Sequence, residues 1–170
     1  MGDLCQIGGI GVAAVPMVGM AMGAGQVARA RRVAWVAGGV SAFNLAVIGA
    51  VVTWAPDLWA RLFTQDEAVL GYARQYLVIA GPAFPFFGLG LTLYFASQGA
   101  GQVIGPVLAG TVRLVLVAAV GYGLSQHQGS ADTFYMLVAT AMVLYGVVTA
   151  AAVKFTPWGM PKASNISRKS

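Results

Sequence analysis

Three stretches of this chain, Val33–Trp54, Tyr76–Ala96 and Thr133–Val153, carry no charged residue, and a fourth, Val103–Ser125, carries only Arg113. A helix rising 1.5 Å per residue needs roughly 20 apolar residues to cross a hydrocarbon core of about 30 Å, and each stretch meets that length. The rest of the composition points the same way. Hydrophobic residues make up 58% of the 170 positions and charged ones 9%, against roughly 45–50% and about 25% in a soluble domain. Ten Lys and Arg with five Asp and Glu are too few to cover a water-exposed surface. The 23 glycines suit transmembrane helices, which tolerate Gly better than soluble helices do. A net charge of +5 rests on so few residues that it signals membrane topology rather than a phosphate-binding stripe, so no nucleic-acid partner is expected. Cys5 stands alone, which excludes a disulfide framework and a cysteine metal cluster.

A fifth apolar stretch, Leu4–Met22, is short and interrupted by Gly8, Gly9, Gly11 and Pro16. It reads as a complete but irregular helix or as the tail of a longer one. A signal peptide would put basic residues before its apolar run; here Asp3 precedes and Arg29, Arg31 and Arg32 follow. The expected fold is therefore all-α: a polytopic transmembrane bundle of four full spans plus one partial or short N-terminal span. Residues 1–153 form the membrane unit and residues 154–170 a basic tail.

Lys and Arg in short loops stay cytoplasmic. Placing the Arg29–Arg32 loop inside puts Lys154, Lys162, Arg168 and Lys169 inside too. Outside then fall Arg61, Arg74 and all the acids: Asp3, Asp57, Asp66, Glu67 and Asp132. The expectation is a multi-pass protein of the plasma (bacterial inner) membrane with a cytoplasmic C-terminus. The outer connection from Pro56 pairs Trp59 with Phe63 and Leu58 with Leu62 at i and i+4, the spacing of a short amphipathic interfacial helix. Thr64 followed by Glu67 matches a capping box at the start of a new helix.

Polar groups within spans are the candidate site residues. Arg113 is near mid-span, where charge is costly; it either snorkels inward or faces a cavity and holds an anion or a carboxylate. Asn44 is helix glue or part of a substrate path. Tyr94 and Gln98, with Thr92 and Ser97, gather at the inner end of the third span. Pro82 and Pro85 remove two backbone donors and predict a kink, a possible bending point. Gly19 with Gly23, Gly38 with Ala42 and Gly101 with Gly105 have the spacing of close helix packing. Gly9, Gly11 and Ala14 match a dinucleotide fingerprint by letters alone, without the strand that it requires. Ser125, His127 and Asp132 share one loop that does nothing to align them as a triad. No catalytic residue, metal ligand or cofactor is expected, and the chain does not read as an enzyme.

The run PMVGMAMGAGQVARARR, then LFTQDEAVLGYARQYL, then the Pro85 helix ending in QGAG at Gln98–Gly101, is similar in order and spacing to the second half of transporters of the multidrug and toxic compound extrusion (MATE) family. The resemblance covers Pro16 to about Val153. It implies a second-lobe architecture in which this chain supplies the last four helices of a twelve-helix protein and most of the one before. It implies proton- or sodium-coupled antiport of cationic or amphipathic drugs by alternating access, with H+ or Na+ as coupling ion. The implied partners are the lipid bilayer, the N-terminal lobe and small organic cations. The family's coupling carboxylates find no counterpart in Tyr76–Ala96, and Val115 stands where a Pro is common after the Arg. A lobe without its partner is expected to be inactive, and the chain then reads as a product begun at an internal Met, a pseudogene fragment or a half that assembles with another. Two other readings stay open: a non-transporting membrane scaffold using its small-residue faces, and an exporter of lipid-linked sugars with a cationic cavity.

Overall fold

The computed structural model of the chain describes residues 2–126, 131–156 and 158. Seven α-helices run in order: α1 Gly2–Gly23, α2 Val27–Trp54, α3 Pro56–Ala60, α4 Glu67–Ala80, α5 Phe84–Gly99, α6 Ile104–Gln126 and α7 Ala131–Phe155. A 3₁₀ turn at Gly81–Ala83 joins α4 to α5. Among the described residues four helical segments are long and apolar enough to cross a membrane: Val27–Trp54, Glu67–Gly99, Ile104–Gly123 and Ala131–Phe155. A shorter apolar helix, Gly11–Gly23, lies near the N-terminus. This is the expected all-α bundle of four spans and a short one.

The helices extend beyond the charge-free windows, because charged residues join their ends. α2 starts at Val27 and takes Arg29, Arg31 and Arg32 into its first turns, so the expected basic loop shrinks to a tight turn. Gly25 makes that turn, with φ of 71°, in the left-handed region where a side chain would be strained. α1 runs unbroken through Pro16. Its buried residues Ala14, Val18 and Ala21 fall on one face, and Pro16 is on the exposed one.

α5 is the centre of the bundle. It packs against α1, α2 and α7, while α6 packs mainly on α7. Close approach explains how one helix meets three neighbours: a Cβ on Gly146 would strike the backbone of Phe86, and one on Gly90 would come within 3.0 Å of Gly146 itself. Small residues thus bring α5 and α7 into backbone contact, the way helices associate where lipid provides no hydrophobic drive. Gly38 is packed against Leu89 and Leu93, and Gly105 against Ala152. These small faces are occupied within the chain itself.

A core cluster of Val18, Ala21, Ala30, Ala34, Leu93, Ala96 and Val153 closes one end of the bundle, the end to which the basic residues belong. Trp158 belongs to this cluster and is 4% exposed. Arg31 reaches from α2 to the end of α7, donating to the carbonyls of Lys154 at 2.6 Å and Val153 at 3.0 Å, with its guanidinium 6.0 Å from the Trp158 ring. The last carbonyls of a helix lack intrahelical partners and carry partial negative charge, so a cation there satisfies both needs. The expected basic tail from residue 154 therefore differs in its first part: α7 continues to Phe155, and Trp158 is a core residue.

At the other end the capping box is not formed. Asp66 is the N-cap of α4 and accepts from Ala68 N–H at 2.9 Å, while the Thr64 hydroxyl accepts from Asp66 N–H at 3.2 Å. The reason is register. With Asp66 as cap, Glu67 is the first helical residue and cannot fold back as the third-residue partner that a box requires; it faces Arg61 at 3.7 Å instead. Asp66→Ala should lower stability by about 1 kcal/mol, the usual loss of an N-cap, and Thr64→Ala by clearly less. Thermal unfolding of the two variants in detergent checks the order. An ion pair between Arg74 and Asp57 ties α4 to α3. Helix α3 is only five residues long. It ends before Leu62 and Phe63, so the expected amphipathic pairs run from α3 into the turn after it, and Leu58, Leu62 and Phe63 are all exposed.

Candidate functional site

The side chains that the sequence singled out come together only in part. α6 leans on α7 and touches α5 little, so a cleft opens between α5 and α6 with α7 behind it. It measures about 390 Å³ and is lined by Phe87, Leu91 and Tyr94 of α5, by Pro106, Gly110 and Arg113 of α6, and by Tyr145 of α7. Phe87, Leu91 and Tyr94 follow i, i+4, i+7, one face of α5. Gly110 leaves the cleft open: a Cβ there would meet only the edge of Tyr145, at 3.9 Å.

Arg113 is the sole charged group of the lining. Its guanidinium carbon is 5.3 Å from the centroid of Phe87 and 5.5 Å from that of Tyr145, and the two rings lie 6.2 Å apart. The guanidinium does not snorkel to a helix end. At 1.5 Å per residue Arg113 is about 14 Å from the start of α6, Tyr145 about 15 Å from the end of α7, and Phe87 about 18 Å from the end of α5. Insertion scales put a mid-span Arg at roughly 2.5–3.5 kcal/mol. A cation over an aromatic face recovers about 0.5–2 kcal/mol per ring, so two rings offset much of that cost. A ring face accepts no conventional hydrogen bond, so these contacts leave the guanidinium N–H donors without acceptors.

Tyr94 shares this cleft with Arg113. Asn44 and Gln98 do not; both are exposed. Asn44 lies on the face of α2 that also exposes Val36, Val40, Val47 and Val51, a polar group in an apolar stripe. Pro82 lies within the 3₁₀ turn between α4 and α5, and Pro85 lies in the first turn of α5, five and two residues before Phe87. Ser125, His127 and the rest of the 127–130 connection lie outside the described residues or have side chains that are not described. No group of three or more His, Cys, Asp or Glu that could hold a metal occurs among the described residues.

Sequence reasoning singled out Arg113 and Tyr94 but missed Phe87, Gly110 and Tyr145. The i, i+4, i+7 spacing of Phe87, Leu91 and Tyr94 was a usable signal for one wall. Nothing in the linear chain pairs Tyr145 with Arg113, which are on different helices.

No curated protein and no solved structure matches the chain. A match to the MatE family extends over residues 5–123, from α1 through nearly all of α6, and takes in Pro82, Pro85 and Arg113. With its four apolar spans and this match over most of its length, the chain is a multi-pass membrane protein of the transporter class and belongs to the MatE family.

Proposed function

We propose that this chain forms part of the C-terminal lobe of a proton- or sodium-coupled exporter of cationic or amphipathic organic compounds that works by alternating access. The observation that carries this reading is the family match across α1–α6 together with a span interrupted beside a cleft. The 3₁₀ turn at Gly81–Ala83 gives α5 a place to change angle relative to α4, and the residues next to it line one wall of the cleft. A hinge of this kind absorbs φ/ψ change while the helices on either side move as rigid bodies.

The described acids Asp3, Asp57, Asp66, Glu67 and Asp132 belong to α3 or to the starts of helices, not to mid-span positions. The coupling carboxylate is accordingly assigned to a companion N-terminal lobe, with the bilayer as the other partner. The apolar stripe of α2 that carries Asn44 is the face that such a lobe would cover. The protein would sit in the plasma membrane with its C-terminus in the cytoplasm, following the distribution of Lys and Arg. The scaffold reading needs free small-residue faces; Gly38 and Gly105 pack inside the chain, while Gly23 stays open. The sugar-lipid reading needs a strongly cationic cavity, and Arg113 is the only cation lining this one.

Efflux of ethidium from cells tests the proposal. Cells making the chain alone should retain the dye, and cells also making an N-terminal MatE lobe should expel it in a manner abolished by collapsing the proton and sodium gradients. Gradient-dependent efflux by the chain alone would overturn the need for a companion lobe. Absence of efflux from both, with both lobes present in the membrane, would overturn the exporter reading.

A further inference from the structure

Among the described residues Arg113 is a mid-span cation whose hydrogen-bonding demand is unmet; the Ser41 and Thr149 hydroxyls also lack partners, but they carry no charge. A guanidinium has five N–H donors and no acceptor. Among the described residues Arg113 makes no hydrogen bond or ion pair, and its contacts are the faces of Phe87 and Tyr145. Those contacts balance charge but accept no hydrogen bonds. The Arg31 side chain shows the contrast within the same chain, since it is spent on three backbone carbonyls.

We propose that the α5–α6 cleft binds an amphipathic organic anion. Its oxyanion group accepts from the Arg113 guanidinium, and its ring-bearing body lies against Phe87, Tyr94 and Tyr145. The assignment rests on the exporter reading in treating the ligand as a transported solute, and it gives this cleft the opposite charge preference from an organic-cation site. Three observations support it. The cleft, at about 390 Å³, is of a size that suits a small organic molecule. Its lining is apolar and aromatic around a single charged group, the usual composition of such sites. Gly110 removes the side chain that would otherwise fill it.

Depth decides which anion. The phosphates of lipids lie in the headgroup region, outside the hydrocarbon core, whereas Arg113, Phe87 and Tyr145 are each about 14–18 Å along their helices from the basic end. A lipid phosphate would have to leave its own plane to reach Arg113. An oxyanion on a compact ring does not, and a guanidinium fork can donate two parallel hydrogen bonds to two of its oxygens.

The test uses the 170-residue chain in phosphatidylcholine nanodiscs, with naphthalene-2-sulfonate and its uncharged isostere naphthalene-2-sulfonamide compared by equilibrium dialysis. The sulfonate should bind at least about 10-fold more tightly than the sulfonamide, the scale of one charge-assisted hydrogen-bonded pair. Arg113→Gln should abolish that preference, Arg113→Lys should keep part of it, and Gly110→Leu should weaken both compounds by filling the cleft. Equal affinity for the two compounds, or a preference that survives Arg113→Gln, would overturn the proposal. Should Arg113→Gln not assemble, Arg113→Lys and Gly110→Leu decide: sulfonate binding unchanged in both overturns it. Repeating the titration in phosphatidylglycerol discs separates the sources of oxyanion. Competition seen only with Arg113 present would assign the site to lipid phosphate and overturn the solute. Binding without ethidium efflux would sink the exporter reading alone, and efflux without sulfonate selectivity would sink this site alone.

Discussion

Gly146→Val is expected to leave little folded protein in the membrane. A Cβ at this position would meet the carbonyl, carbonyl carbon and Cα of Phe86, all backbone atoms of α5. No rotamer change relieves that clash. Overpacking a core costs about 1–3 kcal/mol where side chains can yield, and where backbone must move the loss lies at or above that range. Because α5 also holds α1 and α2, pushing it off α7 loosens the centre of the bundle. Gly39→Ala is the control: a Cβ there has nothing within 4 Å, and Ala is the better helix former by about 1 kcal/mol. Size-exclusion profiles and melting curves in detergent should show Gly39→Ala at least as stable as the parent and Gly146→Val aggregated or melting far lower. Equal melting of Gly146→Val and the parent would show that α5 and α7 do not approach so closely.

Trp158→Ala is expected to cost about 3–5 kcal/mol, the range for removing a fully packed aromatic side chain. The indole is buried in the same core cluster as Val18, Ala34, Leu93 and Val153. Its loss opens a cavity and takes away the ring face next to Arg31. Trp158→Phe should be much milder. The indole Nε1 is buried without a hydrogen-bond partner among the described residues, so Phe keeps most of the apolar area and removes an unsatisfied donor. The measurement is the melting temperature of the three proteins in the same detergent. A Phe variant as damaged as the Ala variant would mean that Nε1 does find a partner and that the indole is held by it.

The two stability predictions concern residues that the linear chain marked differently. Gly146 has Ala150 at the same four-residue spacing as Gly38 and Ala42, but spacing alone does not say which helix that face meets; its role comes from Phe86 on another helix. Trp158 lay within a stretch counted as a basic tail on charge alone. By contrast, the 3₁₀ turn at Gly81–Ala83 falls where Pro82 and Pro85 remove two backbone donors, an effect that acts on their own helix. The cap at Asp66 shows a middle case: the capping segment was located correctly, but choosing among Thr64, Asp66 and Glu67 required the register of the first turn.

By itself the sequence determined the solvent, the helical class and the positions of the spans. Those properties follow from the length of uncharged runs and the demand that backbone hydrogen bonds close within each segment in lipid. The ordered motifs also pointed to the family before any contact was known. Only the tertiary structure decided what the charges do. Arg31 became the partner of the α7 terminus and Arg113 the cation between Phe87 and Tyr145, while Asn44 and Gln98 were left outside the cleft. Local periodicity says which face of a helix a residue is on. Which other helix that face meets depends on where two backbones can approach, and for α5 and α7 that place is Gly90 with Gly146.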